Sequence, residues 1–518
     1  MDHAAASRAS KVALWVGVLL SLCVLLFADL EPGKPQVTRA AAVAVLMACW
    51  WIGEAVPLAV TALLPLVLFP LLGVMNSKSV ASQYLDDNVF LFVGGFIIAL
   101  AMERWNLHKR IALRTLLVFG TQPRRILLGF MTATAFVSMW ISNTAATMMM
   151  VPIALAILLK LEETEGQEAI RGLGVAVLLG VAYSASIGGI ATLVGTPTNL
   201  TLGTNLLKRF PDAPPVTFTT WLLMGLPLAA AMLVAAWGVL AFRFVPRGHR
   251  LTTERELLRR EYVALGPMSF AEKVVLADFC VLVLLWLTRA TVTIGGLQLY
   301  GWTELLPEEH VGGKRVPFMY DGSVSIAAAV ALFLIPARPG SRETVMDWPT
   351  AVKLPWDVVL IFGGGFALAG GFTESGLSGW LGNRLAAAGA LPPLVTLTII
   401  CLLVTFLTEL TSNTATSQTL LPITAALSVE CGVNPLFLMV PVTIASSLGF
   451  MMPAGTPPNA IVFGTRRVSI FQMATTGLAL NLMGVVLLVL AMYTLGLGAW
   501  GITLGELPSW AAPAQGPE

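Results

Sequence analysis

Charge is what this chain has least of. Asp, Glu, Lys and Arg make up 12% of its 518 residues, where a soluble domain carries about 25%. With hydrophobic residues at 56%, an ordinary water-soluble globule is excluded. Histidine and cysteine are also sparse. His3, His108, His249 and His310 lie far apart, and Cys23, Cys49, Cys280, Cys401 and Cys431 fall mostly in apolar runs. Neither set has the spacing of a metal site or a disulfide framework. The sequence offers no paired carboxylates and no nucleophile beside a base, so nothing in it supports an enzyme. A net charge of +2 gives nucleic acid no basic footprint.

Long uncharged stretches are abundant instead. Residues 126–159 and 172–207 contain no charged side chain, and each exceeds the roughly 20 residues that cross a bilayer as a helix. The chain reads as an all-α polytopic membrane protein. The apolar run 12–27 follows Arg8 and Lys11 and so resembles a signal peptide. No clear small-x-small cleavage site follows, and it reads as an uncleaved first helix.

The basic residues set a topology, because Lys and Arg favour cytoplasmic loops. Most of them cluster at 8–11, 104–125, 243–273, 338–353 and 466–467, joined by Lys160 and Arg171. Parity between clusters then dictates the crossings. Spans are expected near 12–28, 40–56, 57–75, 88–103, 173–205, 218–242, 274–288, 321–337, 356–375, 435–464 and 471–497. Residues 127–160 and 391–429 must each enter and leave on one side, as re-entrant hairpins of opposite orientation. The sum is about eleven transmembrane helices plus two re-entrant hairpins. The divisions are an N-terminal helix and loop (1–39), a first repeat (40–242), a cytoplasmic linker (243–273) and a second, inverted repeat (274–518). The N-terminus falls inside and the C-terminus outside. An amphipathic surface helix is expected over 106–117.

The repeat is visible in the residues themselves. Ser142-Asn143-Thr144 returns 270 residues later as Ser412-Asn413-Thr414. Phe92 to Phe96 returns as Phe362 to Phe366, and Pro152 as Pro422, at the same offset. Gly195-Thr196-Pro197-Thr198-Asn199 returns 260 residues on as Gly455-Thr456-Pro457-Pro458-Asn459. Four matches in one order make two related halves. Polar, helix-breaking stretches at corresponding places in an apolar chain point to a transporter binding site. Glycine permits the break, and proline lacks an N–H. The freed helix ends suit an anion at the N-terminal side and a hard cation at the carbonyl side. No Lys or Arg lies in 126–159 or 385–465. An anionic substrate would therefore depend on helix ends, Asn and Thr donors and a co-bound cation.

The stretches Glu103 to Arg110, Met139 to Ala145 and Gly455 to Phe463 resemble the divalent anion/sodium symporter family of di- and tricarboxylate carriers. They lie closer to its sodium-dependent carboxylate branch than to its exchangers. The resemblance covers nearly the whole chain. It implies a first sodium ion held by Ser138, Ser142, Asn143 and Gly195, and a second held by Thr408, Ser412, Asn413 and Gly455. It also implies a substrate carboxylate site of Asn143, Thr144, Asn413 and Thr414, with Thr196, Thr456 and Pro457 beside them. The family often has alanine where Gly455 stands, a change that a backbone carbonyl ligand would survive. The expected activity is sodium-coupled uptake of C4-dicarboxylates such as succinate, malate and fumarate, with citrate left open. A homodimer in the plasma membrane and an elevator-type motion are implied as well.

Other readings stand beside this one. The rivals are a sodium-independent exchanger, a sulfate or oxyanion carrier of the same fold, and a passive channel built on re-entrant hairpins. Each Ser-Asn-Thr could be no more than a polar turn. The Gly-rich stretches at 94–95 and 363–365 invite a nucleotide reading, but they sit inside apolar spans and fit close helix packing better. Glu409, beside Thr408, is an acid inside a hairpin. It could couple protons, sit near the outer mouth, or accept a backbone donor.

Overall fold

The computed structural model describes residues 3–84, 87–119, 122–245, 259–260, 262–289, 291–294, 297–311, 314–385, 391–453 and 455–512. The first half runs through α1 (His3–Phe27), α2 (Pro35–Ile52), α3 (Leu58–Ala62), α4 (Leu64–Leu71), α5 (Ser77–Ser82) and α6 (Asp87–Arg104). It continues with α7 (Leu107–Phe119), α8 (Pro123–Ser138), α9 (Asn143–Glu165), α10 (Gln167–Ala191), α11 (Pro197–Arg209) and α12 (Phe218–Phe244). The second half comprises α13 (Phe270–Leu287), α14 (Asp321–Leu334), α15 (Trp348–Ala351), α16 (Trp356–Ser375) and α17 (Leu377–Leu385). After these come α18 (Pro393–Thr408), α19 (Asn413–Glu430), α20 (Pro435–Ala445), α21 (Pro457–Gly464) and α22 (Ile470–Ala491). From α6 and α16 onward the two halves run through the same order. A long helix is followed by a shorter one, a helical hairpin, a broken helix and a final long helix.

Seven helices among the described residues are long and apolar enough to cross a membrane alone. One of them is α9, so the first hairpin pairs a 16-residue arm with a 23-residue arm. The expected span 57–75 is interrupted at Leu63, where α3 gives way to α4 with Pro65 in its first turn. The amphipathic surface helix is α7, bent 71° from α6 at Asn106, whose φ is 56°. Part of the charged linker, residues 246–258 and 261, lies outside the described residues.

Two short antiparallel ribbons depart from the all-helical expectation. Val292–Ile294 pairs with Leu297–Leu299, and Glu308–Val311 with Lys314–Pro317. Both belong to the connection between α13 and α14. The sequence carried a signal for them: Gly295-Gly296 and Gly312-Gly313 each separate two short segments, a pattern that favours tight hairpins.

The core is built around α10, every residue of whose apolar window is buried. Small residues allow this. A Cβ on Gly188 would lie 2.2 Å from the Ala135 carbonyl oxygen of α8. The duplicated glycines serve the same end in both halves. A Cβ on Gly94 of α6 would meet Ser325 of α14 at 2.3 Å, and one on Gly364 of α16 would meet the Ala62 carbonyl of α3 at 2.3 Å. Each half therefore lends its glycine-rich helix to a close crossing with the other half. The outermost helix, α1, is mostly exposed and is fixed to α2 by Ser21 Oγ donating to Ala42 O at 2.8 Å.

At the basic surface, α7 is tied to the start of α13. Arg110 donates through Nε to Glu272 at 2.9 Å and through its other nitrogens to the carbonyls of Leu265 and Gly266. Both side chains of the pair are under 10% exposed. Removing one partner of such a pair strands a buried charge and costs roughly 3–5 kcal/mol, while replacing both with apolar groups is often neutral. Arg110→Ala is therefore expected to lower the thermal unfolding midpoint in detergent well below that of the Arg110→Met/Glu272→Met double variant. Equal midpoints for the two would show that the pair does not hold α7 in place.

Candidate substrate and cation site

The first Ser-Asn-Thr forms the tip of the helical hairpin α8–α9. Ser142 is the N-cap of α9, its Oγ accepting the Ala145 N–H at 3.2 Å. Four residues earlier, Ser138 ends α8 with its hydroxyl fully buried. Ser138 Oγ lies 2.7 Å from Asn143 Oδ1 and 2.7 Å from the Ala185 carbonyl of α10. One hydroxyl hydrogen cannot serve both acceptors. Three oxygens thus converge with one proton among them, an electronegative cluster that suits a hard cation, which takes oxygen ligands.

The second hairpin, α18–α19, repeats this atom for atom. Thr408 Oγ1 lies 2.8 Å from Asn413 Oδ1 and 2.7 Å from the Ser446 carbonyl beyond α20. Ser142, Asn143 and Thr144 are all half-buried, as are Ser412, Asn413 and Thr414. Each tip is therefore partly open rather than sealed in the core.

The broken helices close against these tips. Between α10 and α11 the chain is non-helical from Thr192 to Thr196, and Pro197 begins α11. Asn199 reaches back across the break, its Nδ2 donating to the carbonyls of Gly189 at 2.9 Å and Thr192 at 2.8 Å. Asn459 does the same in the second half, donating to Gly449 at 3.2 Å and Met452 at 3.0 Å. Thr192 Oγ1 donates to Met139 O at 2.5 Å, binding the first break to its tip. A Cβ on Gly195 would lie 3.1 Å from Met139 O, and one on Gly455 would lie 3.2 Å from Glu409 O. Both glycines thus back onto the residue that follows Ser138 or Thr408. Thr196 and Thr456 are buried, whereas Pro457 is exposed.

Several buried oxygens here have no hydrogen-bond partner among the described residues: Asn199 Oδ1, Asn459 Oδ1 and Thr456 Oγ1. A buried polar group without a partner is costly, so such atoms are marks of a ligand site. The geometry unites Ser138 with Asn143 and Thr408 with Asn413. It uses Ser142 as a helix cap. The carbonyls of Ala185 and Ser446 and the stapling roles of Asn199 and Asn459 were missed from the sequence. Backbone oxygens leave no trace in residue identity. The two asparagines did, since both close the repeated Gly-Thr-Pro motif.

The halves are also braced across one another. Thr201 of α11 and Ser417 of α19 share a hydrogen bond of 2.7 Å, and Asn205 donates to Gln418 at 3.1 Å. Arg467, after α21, pairs with Glu162 on α9. Trp140 at the first tip stacks on Phe218 of α12 and meets Phe279 of α13 edge-on, with centroids 4.8 Å apart in the latter pair.

Paired binding stretches at broken helices inside a membrane fold are the construction of secondary transporters, not of enzymes. The chain belongs to the sodium:sulfate symporter family: residues 9–506 match its description, "Sodium:sulfate symporter transmembrane region", as the resemblance to divalent anion/sodium symporters implied. It is 42% identical to the sodium-dependent dicarboxylate transporter SdcS of Staphylococcus saprophyticus, over 93% of this chain and 91% of that protein. It is 40% identical to solute carrier family 13 member 2 of Oryctolagus cuniculus, over 96% of each. Two solved structures share the fold at low identity. MtrF of Neisseria gonorrhoeae is 14% identical with a TM-score of 0.56, covering 94% of this chain and 100% of that one. YdaH of Alcanivorax borkumensis is 13% identical with a TM-score of 0.54, covering 89% and 98%.

A side chain added at Gly189 would place Cβ 2.5 Å from Asn143 Oδ1, whereas one at Gly95 meets nothing closer than 3.9 Å. Gly189→Ala should therefore displace Asn143 and lower solute uptake at least about fivefold, since a lost buried polar contact costs roughly 1–3 kcal/mol. Gly95→Ala should stay close to wild type. Matched uptake by the two variants, at equal membrane expression, would remove Asn143 from the site.

Proposed function

We propose that this chain is a secondary active transporter that couples sodium entry to uptake of C4-dicarboxylates such as succinate, malate and fumarate, with citrate as a further candidate. The observation that carries this reading is the duplicated oxygen cluster, Ser138/Asn143/Ala185 and Thr408/Asn413/Ser446, in segments without a basic residue. In the proposal, Ser138, Ser142, Asn143 and Gly195 hold one sodium ion, and Thr408, Ser412, Asn413 and Gly455 hold the second. Asn143, Thr144, Asn413 and Thr414 bind the substrate carboxylates between them, flanked by Thr196, Thr456 and Pro457. The N-termini of α9, α11, α19 and α21 add partial positive charge. Cations and helix ends do the work that a guanidinium would otherwise do. Anion affinity then requires sodium.

The proposal places the protein in the plasma membrane as a homodimer with its N-terminus inside and its C-terminus outside. Its repeats cover residues 40–242 and 274–518, joined by the cytoplasmic linker 243–273. The two hairpins and two broken helices, cross-braced through Thr201–Ser417 and Arg467–Glu162, move as one body in an elevator cycle. A sodium-independent exchanger or a sulfate or oxyanion carrier is the alternative. The relatives at about 40% identity, named for sodium and dicarboxylate, favour the symporter.

The test is uptake of labelled succinate and citrate into proteoliposomes, with an inward sodium gradient against a choline control. Accumulation above equilibrium in sodium alone, lost in Asn143→Ala and Asn413→Ala, is expected. Uptake indifferent to sodium but accelerated by internal dicarboxylate would make the protein an exchanger. In equilibrium binding, replacing sodium by choline should weaken succinate at least about tenfold, within the usual span of coupling energies. Equal affinity in both salts would contradict cation-dependent binding.

A further inference from the structure

The two cation sites share their oxygen geometry but not their charge. At the residue after Ser138 stands Met139, and at the residue after Thr408 stands Glu409. The local backbone differs accordingly. In the first half the helix runs to Ala191 and only five residues separate it from Pro197. In the second half α20 stops at Ala445 and α21 begins only at Pro457, with every described residue between them non-helical. The longer break frees backbone N–H groups deep in the protein, where each must find an acceptor.

Glu409 supplies it. Its carboxylate accepts the N–H groups of Phe450 at 2.7 Å, Met451 at 2.9 Å and Met452 at 3.0 Å, and the Asn481 amide Nδ2 at 2.7 Å. The residue is 4% exposed. All of these partners are donors, so a protonated carboxyl would set its own hydrogen against one of them. The arrangement therefore favours the carboxylate form of Glu409. Among the described residues no Lys or Arg side chain hydrogen-bonds to it. Its Oε2 lies 3.1 Å from where a Cβ on Gly455 would stand, and Glu409 follows Thr408 directly. A carboxylate thus lies beside Gly455 of the second site, where the residue corresponding to it in the first half is a neutral methionine.

We infer that Glu409 makes the second cation site the tighter one, so that the site of Thr408 and Asn413 fills with sodium before the site of Ser138 and Asn143. This rests on the cation sites proposed above. A charge a few ångströms away in a medium of low dielectric acts through Coulomb attraction, without ligating the ion itself. Glu409 is a positioning residue in this scheme.

The test measures 22Na+ on the purified full-length protein, displaced by unlabelled sodium without dicarboxylate and with choline holding ionic strength constant. Wild type should show two phases. Glu409→Gln should weaken the tighter phase by about tenfold or more and leave the looser one in place. Asn143→Ala should remove the looser phase. Because Glu409→Gln could fail to fold, Met139→Glu is the second variant, expected to tighten the looser phase. A single wild-type phase, or a Glu409→Gln profile changed in the looser phase or in neither, would overturn the inference. So would an unaltered looser phase in Met139→Glu. Sodium binding unaffected by both Asn143→Ala and Asn413→Ala would instead sink the cation-site assignment, and with it the premise.

Discussion

Every freed backbone group inside a membrane protein must be met by another polar group, and this fold meets that demand mostly with neutral side chains and a single carboxylate. Two helices break where helices normally cannot, and the repairs are local. Asn199 and Asn459 donate across the breaks to carbonyls that lost their helical partners. Thr192 ties one break to its hairpin tip. Glu409 takes up three N–H groups at the other. What remains after these repairs is the functional surplus: oxygens with too few hydrogens, gathered where the hairpin tips meet the breaks.

That surplus explains why neutral side chains suffice. A guanidinium would bind a dicarboxylate whether or not sodium was present, and coupling would be lost. Oxygen clusters bind anions poorly until a cation joins them. The close helix crossings at Gly94 and Gly364 and the cross-braces Thr201–Ser417 and Arg467–Glu162 pack the two halves against each other.

Much of this was legible in the residues because duplication makes function visible. Ser138 and Thr408 were marked only by the family resemblance, and the structure joins each to the asparagine of its motif across the turn between the hairpin arms. Basic clusters and parity called for eleven spans, and seven helices among the described residues are long and apolar enough to cross alone. What was not legible had physical reasons. The Ala185 and Ser446 carbonyls belong to backbone, which residue type does not mark. The ribbons between α13 and α14 rest on short segments whose alternation is weak beside the surrounding apolar runs. The unequal length of the two breaks could be seen only in three dimensions, and it gives Glu409 a structural task that its position alone left open.

The most direct measurement is a pair of cryo-EM maps of the protein in lipid, one in sodium and one in choline, at a resolution that shows bound ions. In sodium, density should stand among Ser138 Oγ, Asn143 Oδ1 and Ala185 O, and again among Thr408 Oγ1, Asn413 Oδ1 and Ser446 O, and both features should vanish in choline. Clusters that look the same in the two salts, with each hydroxyl still bonded to its neighbours and no density between them, would contradict the account.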